Sequence, residues 1–306
     1  MKEFFFPVRK NTRIHCCQWV PEGKVRGVIQ IVHGIAEYGA RYDELARVFT
    51  DHGFVVVAED HMGHGGSISQ EIPQGCFAEG WLTAVSDTYR LLCMTKEEYP
   101  DVPYFIYGHS MGSFMTRTLL YTYPDAGLSG AVISGTGWMP TLVLKTGRTV
   151  CKVEAKKRGE NSTSPLINKL MFGSYNKGFD HPRTPVDWLS RDENEVDKYI
   201  ADPLCGFDAS IGLAYEMLGG MLMNQDKKNL DKMPKDLPVL FVSGDADPVG
   251  SNGKGVQQAC DAFRKVGMKD VSIKLYPQGR HEMHNELNRT ELHADVLAFL
   301  DRVLGK

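Results

Sequence analysis

The 306 residues contain no apolar run long enough to cross a bilayer, which takes about 20 consecutive apolar residues. The opening Met1-Lys2-Glu3-Phe4-Phe5-Phe6-Pro7 is too short in its apolar part for a signal peptide and is broken by Pro7. Neither sign of charge dominates: 35 Lys and Arg face 38 Asp and Glu, a net charge of −3, so there is no electrostatic case for nucleic acid as a partner. Cys-x-x-Cys is absent. The seven cysteines are scattered and odd in number, and Cys16 and Cys17 are neighbours in a strand-like segment, facing opposite ways. That usage reads as reduced, mostly buried thiols in a cytoplasmic protein. Two histidine pairs, His61-x-x-His64 and His281-x-x-His284, lack the further ligands of a zinc site, so no metal is expected. There is no internal repeat and no low-complexity tract.

What is present is a chain 42% hydrophobic, enough for a large core in one α/β domain with room for an inserted subdomain. Residues 2–8 and 12–20 read as an antiparallel hairpin turning at Lys10-Asn11. Apolar runs at 28–32, 54–58, 104–107, 130–134 and 238–244 read as buried parallel strands, each with little alternation because both faces are covered. Helical patterns follow at 42–52, 81–99, 111–123, 255–266 and 289–304, with a further strand at 271–276. The fold class is therefore α/β, a mostly parallel doubly wound sheet covered on both faces. Between 138 and 215 the alternation stops. Residues 140–179 hold eight Lys and Arg against two Asp and Glu, while 180–210 hold three against eight. We read 138–215 as a helical cap over the sheet's carboxyl edge, with 1–137 and 216–306 as the core. An ordinary solvated face accounts for the charge split as well as a recognition role does.

The chain is organised around Gly108-His109-Ser110-Met111-Gly112, a Gly-x-Ser-x-Gly placed where a strand stops and a helix starts. A one-residue turn of that kind strains the residue at its tip and leaves no room for side chains on either flank, which the two glycines supply. The Ser110 hydroxyl then stands exposed at the sheet edge. A serine needs a base and an acid behind the base, and on this kind of scaffold they arrive from later strands in the order Ser, Asp, His. Asp247, three residues beyond Gly244 after one strand, and His281, after the next, supply that order. Asp245 competes as a turn former and His284 lies a turn beyond His281; Asp247-Pro248 can also be an Asx turn. For the oxyanion, the Met111 N–H follows the nucleophile, and the His33-Gly34-Ile35 loop is placed to add the Ile35 N–H. The His33 side chain reads as a structural partner of that loop.

With these residues assigned, the sequence resembles the monoacylglycerol lipase and lysophospholipase branch of the α/β-hydrolase family over nearly its whole length. The resemblance rests on His33-Gly34-Ile35-Ala36-Glu37-Tyr38-Gly39-Ala40-Arg41-Tyr42, Asp60-His61-Met62-Gly63-His64-Gly65-Gly66-Ser67 and the Ser110 pentapeptide. Leu189-Ser190-Arg191, Asp202-Pro203-Leu204-Cys205, Gly244-Asp245-Ala246-Asp247 and Arg280-His281-Glu282-Met283-His284-Asn285-Glu286 complete it. It implies Ser110, Asp247 and His281 as a triad, Ile35 and Met111 as oxyanion donors, and a cap that forms an acyl-chain pocket. It places Glu37, Arg41 and His284 near a polar head group. There are two departures: Ser113 stands where many members have a second glycine, and the loop reads Ile-Ala-Glu-Tyr where the lipases usually have Ala-Gly-Glu-His. The expected activity is hydrolysis of acyl esters such as monoacylglycerols or lysophospholipids, with no cofactor. A peptidase or thioesterase on the same triad, and a homologue without catalysis, are the alternatives. Around 139–157, Leu142, Val143, Val150 and Val153 share one side of a helix and lysines the other. Transient contact with a membrane surface and packing on the core both account for that pattern.

Overall fold

The computed structural model describes residues 1–9, 12–77 and 79–305, and the expected turn at Lys10-Asn11 lies outside the described residues. Eight strands form one sheet in the order β1-β2-β4-β3-β5-β6-β7-β8. They are β1 Lys2–Arg9, β2 Thr12–Trp19, β3 Gly27–Val32, β4 Phe54–Glu59, β5 Tyr104–His109, β6 Gly130–Ser134, β7 Val239–Gly244 and β8 Val271–Tyr276. β1, β2 and β4 pair antiparallel at one edge, and from β4 to β8 every pairing is parallel.

The core helices are α1 Asp43–Asp51, α2 Trp81–Glu98 and α3 Met111–Thr122. Four helices of the inserted region and one short turn follow before β7: α4 Thr141–Arg158, α5 Pro165–Phe172, α6 Glu193–Ala201, α7 Ile211–Met223 and α8 Lys227–Leu230. The last two are α9 Lys254–Lys265 and α10 Arg289–Val303. Strand alternation sorts the apolar residues onto two faces. Val28 and Val32 of β3, with Val55 and Val57 of β4, join the core under α2, α3 and α9, while Ile29, Ile31, Val56 and Ala58 join the core under α1 and α10. Burying a side chain such as Phe241 or Phe49 completely stabilises the fold by roughly 1.5–3 kcal/mol.

Chain order reverses at β3, whose neighbours are β4 on one side and β5 on the other. This is the point where ligands bind in open α/β sheets, outside the carboxyl ends of the strands. Val32 is paired with Gly108 there, so the loops that follow β3 and β5 begin side by side.

The inserted region lies between β6 and β7. α7 crosses the boundary expected at 215/216: Ile211 and Ala214 pack with Cys151 and Ile167 of the cap, while Met221 joins the main core. Gly220 is so close to Trp81 that a Cβ there would overlap the indole ring. α4 turns Leu144, Cys151 and Glu154 inward; Leu142 is 76% exposed, and Val143 and Val153 are also exposed. Three residues of the apolar side marked by its sequence, Leu142, Val143 and Val150, line one cavity, and Val150 also packs with Cys151 and Ile211. Contact with α7 comes through Gly147, where a Cβ would stand 3.0 Å from Leu218.

Candidate active site

Ser110 sits between β5 and α3 with φ 53° and ψ −121°, a conformation that costs a non-glycine residue roughly 1–3 kcal/mol. Its backbone is held by Ser110 N–H donating to Ser134 O at 3.0 Å. Ser113 N–H donates to Ser110 O at 2.9 Å, and the Ser113 hydroxyl does so at 2.6 Å. Ser113 thus adds a bond that a glycine cannot make. The flanking glycines are required by contact: a Cβ on Gly108 would overlap Thr116 Oγ1, and one on Gly112 would overlap Val32 O. The second contact presses the start of α3, which carries the Met111 N–H, against the end of β3, which leads into the loop that carries the Ile35 N–H. Among the described residues neither N–H has an acceptor in the protein, and both residues line the same cavity as Ser110.

The loop after β3 is built on buried polar groups. His33 Nε2 accepts from His61 N–H at 2.9 Å, so Nδ1 carries the proton and donates to Gly34 O at 2.7 Å. Burial pushes the His33 pKa well below its ordinary value, consistent with that neutral tautomer. Asp60 accepts from Gly39 N–H at 2.7 Å and Gly66 N–H at 2.8 Å, tying this loop to the glycine-dense loop after β4. Glu37 Oε1 accepts from Gly34 N–H at 2.6 Å and Tyr42 O–H at 2.9 Å, and Oε2 from Arg41 Nη1 at 2.6 Å. Glu37 lines the cavity, but its carboxylate is occupied in shaping the loop.

Asp247 is fully buried. Its Oδ1 accepts from Val249 N–H at 2.8 Å, and its Oδ2 from the Ser243 hydroxyl at 3.2 Å and His281 Nδ1 at 2.9 Å. Asp245, the rival in sequence, is exposed and among the described residues accepts only from Gln278 N–H, at 2.7 Å. The two loops that carry Asp247 and His281 meet because Gly244 and Gly279 touch: a Cβ on Gly244 would overlap Gly279 O. Burial disfavours the charged His281 ring, yet the Asp247 carboxylate outweighs it and the pKa lies above the ordinary value. Ser110 and His281 face one cavity, and no hydrogen bond joins them among the described residues. In unliganded sites such bonds are often long and tighten when substrate binds.

His284 and Arg41 are placed differently from expectation. The single 3₁₀ turn Met283–Asn285 carries the His284 ring inward, where it stacks on Tyr42 at 4.6 Å and meets His109 edge-on at 4.8 Å. It is absent from the cavity wall, neither ring nitrogen has a partner, and burial lowers its pKa to about 3. Arg41 also stands behind the wall, its guanidinium bonded to Glu282 at 3.0 and 2.9 Å and to Glu37. Direct contact of either residue with a head group does not follow from this arrangement. Burial would raise both carboxyls, but Arg41 brings Glu282 down to about 2, while Glu37, with Glu282 near it, stays above its ordinary value. Glu282 has no local signal in the sequence beyond its place beside His281. Trp188, whose ring lies 5.0 Å from that of His281, has none. The histidine pairs gain no third ligand among the described residues; the one group of three, Glu3, His15 and Cys17, lies at the β1–β2 edge, where His15 Nδ1 already meets Asp60 at 2.8 Å.

The cavity above Ser110 has a volume of about 770 Å³, within the range of small-molecule sites. Its far wall is apolar, with Phe114, Met139, Ile167, Met217 and Met221, and its rim carries the exposed Leu142 and Leu170.

Residues 23–288 match the sequence profile of the family described as serine aminopeptidase, S33. The chain belongs to this family. Among similar proteins, a monoglyceride lipase of Mus musculus is 30% identical over 280 residues, covering 90% of this chain and 81% of that protein. A monoacylglycerol lipase of Mycolicibacterium smegmatis is 29% identical over 287 residues, covering 92% and 90%. Among solved structures, a thermostable carboxyl esterase of Bacillus coagulans in complex with glycerol superposes with a TM-score of 0.91 at 30% identity, covering 99% of this chain and 98% of that one. The fold expected from the sequence, an α/β hydrolase, is the fold of this solved esterase.

Proposed function

We propose that this protein is a serine esterase that hydrolyses acyl esters of small polar alcohols, monoacylglycerols or lysophospholipids among them. Ser110 is the nucleophile, His281 the base and Asp247 the acid behind it. The observation that carries the reading is the 2.9 Å Asp247–His281 bond ending at the same cavity wall as the strained Ser110. The His281 Nε2 atom takes the proton as Ser110 Oγ attacks the ester carbonyl carbon. The Ile35 and Met111 N–H groups receive the oxyanion, each contributing about 3 kcal/mol to the transition state. The tetrahedral intermediate collapses, His281 gives its proton to the departing alcohol oxygen, and the acyl chain remains on Ser110. Water, deprotonated by His281, then attacks the acyl carbon and frees the acid. Asp247 holds the imidazole in the tautomer with Nδ1 protonated and stabilises its charged form.

The apolar wall supports an acyl chain as the buried part of the substrate, and the similarity to monoglyceride and monoacylglycerol lipases supports a glycerol-like alcohol. A peptidase reading wants a free carboxylate for a substrate amine, but both Glu37 oxygens already accept bonds from the protein. The cap, residues 138–215 with the rest of α7, forms the acyl pocket. Leu142, Leu166 and Leu170 are exposed in the basic half of the cap, which supports transient contact with a membrane surface. Seven unpaired cysteines, six of them buried, support a reducing, cytoplasmic setting.

The test compares wild type and Ser110→Ala on p-nitrophenyl butyrate, then wild type on monoacylglycerols, lysophosphatidylcholines and aminoacyl arylamides. We expect loss of turnover in the variant and acylglycerol hydrolysis well above arylamide hydrolysis. Wild-type turnover by Ser110→Ala overturns the mechanism; faster arylamide cleavage overturns the substrate class.

A further inference from the structure

His281 stands on a loop after β8, an edge strand whose residues are mostly half-exposed. Its side chain is oriented by Asp247, but a base is only as well placed as the backbone that carries it. That backbone is held by the cap. His281 N–H donates to Trp188 O at 3.3 Å, and Glu282 N–H to Leu189 O at 2.8 Å. The next cap residue, Ser190, donates from its hydroxyl to Asn285 O at 2.8 Å and accepts at its carbonyl from Arg280 Nη1 at 3.1 Å.

One carboxylate fastens both sides. Glu286, fully buried, accepts at Oε1 from the backbone N–H groups of Arg191 and Arg280, both at 3.0 Å. Its Oε2 accepts from Arg191 Nε at 2.8 Å and from Leu287 N–H at 2.9 Å. The Arg191 fork also reaches Asn288 at 2.6 Å. Four donors on one buried carboxylate, two of them from the cap and one from the residue before His281, make a junction with little freedom. Leu189 lines the cavity, but Ser190 and Arg191 of the cap and the terminal Glu of the histidine motif do not. This junction accounts for both.

We propose that cap residues 188–191, locked by Glu286, are positioning residues for His281, so that this part of the cap belongs to the catalytic apparatus and does not open as a lid. The proposal rests on the reading of His281 as the base. A base displaced by about 1 Å can cost on the order of 100-fold in rate, whereas a change in a pocket wall acts on KM and on long chains first.

The experiment measures kcat and KM for p-nitrophenyl butyrate and dodecanoate in Arg191→Met, Arg191→Lys and Glu286→Gln, with His281→Gln in parallel. The low-field NMR resonance of the His281 Nδ1 proton is followed in the folded proteins. In Arg191→Met and Glu286→Gln we expect kcat to fall about 10- to 100-fold on both esters, with KM changed less than about threefold. The resonance shifts or broadens, and Arg191→Lys recovers most of the rate. Should the fully buried Glu286→Gln not fold, Arg191→Met decides, and Ser190→Ala, which only removes a hydroxyl, repeats the test. Unchanged kcat and resonance in folded variants overturn the proposal, as does a loss confined to KM for the dodecanoate. Wild-type turnover by His281→Gln overturns the base assignment itself; inactivity there with normal Arg191→Met overturns the positioning role alone.

Discussion

Arg41 and Glu282, 241 positions apart in the chain, meet as a two-pronged ion pair of 3.0 and 2.9 Å behind the cavity wall. The pair ties the loop that presents Ile35 N–H to the loop that presents His281, and Arg41 reaches Glu37 as well. Removing Arg41 leaves two buried carboxylates without the cation they share. Arg41→Met should lose about 3–5 kcal/mol of stability. Without Arg41 both carboxyl pKa values rise in the folded state, so the protonated forms stabilise it. That contribution is complete below the unfolded value of about 4.3 and is lost as pH rises through the raised folded values. Urea denaturation at pH 5 and pH 8 should show a larger deficit at pH 8; equal deficits would contradict the account.

His281 works as a base only when neutral, and Asp247 holds its pKa above the ordinary histidine value. The acid limb of kcat/KM against pH should therefore fall above about 6.5. In Asp247→Asn burial is no longer opposed by the carboxylate, so the limb moves to lower pH. The rate at its plateau drops by about 10⁴, because the amide can hold the wrong tautomer. A limb that stays in place would detach Asp247 from the base.

Gly112 is pressed against the end of β3. Gly112→Ala forces a Cβ into Val32 O, and overpacking of that kind costs about 1–3 kcal/mol or more. The strain falls at the start of α3, beside the proposed oxyanion donor Met111, so turnover should fall further than stability. Thermal melting alongside kcat for p-nitrophenyl butyrate checks the order of the two losses.

Leu142 and Leu170 are exposed at the rim of the cavity. The double variant Leu142→Ser, Leu170→Ser should leave kcat/KM for p-nitrophenyl acetate within about twofold, since exposed positions carry little stability. Sedimentation with phospholipid vesicles should weaken, together with hydrolysis of acylglycerol presented in them. Unchanged vesicle binding would remove the rim from any membrane contact.

Much of this was legible in local pattern. Apolar runs marked the strands because strands covered on both faces need apolar residues throughout, as the fully buried β3 and β4 show. Ser110 was legible because one bend demands glycine on both sides. Asp247 was separable from Asp245 only by its place in the loop, and the coordinates give the reason: one carboxyl is fully buried against His281 and the other caps a turn. The inward face of α4 was legible only in part: Val150 of its apolar side packs toward α7 with Cys151 and Ala155, while Val153 is exposed and Gly147 gives the close approach to Leu218.

The sequence by itself determined the sheet, the order of its strands along the chain and the strained strand-to-helix turn at Ser110, because these follow from periodicity and from backbone strain within a few residues. Tertiary structure decided what each charged or aromatic side chain near that serine is free to do. Arg41 and His284 look available in the linear chain, yet Arg41 is bonded to Glu282, 241 positions away, and His284 is stacked on Tyr42 from the far end of the sequence, while Glu37 is engaged within its own loop by Gly34 and Tyr42. Availability of a polar group depends on which partners surround it in space, and that is a property of long-range packing that no local run of residues encodes.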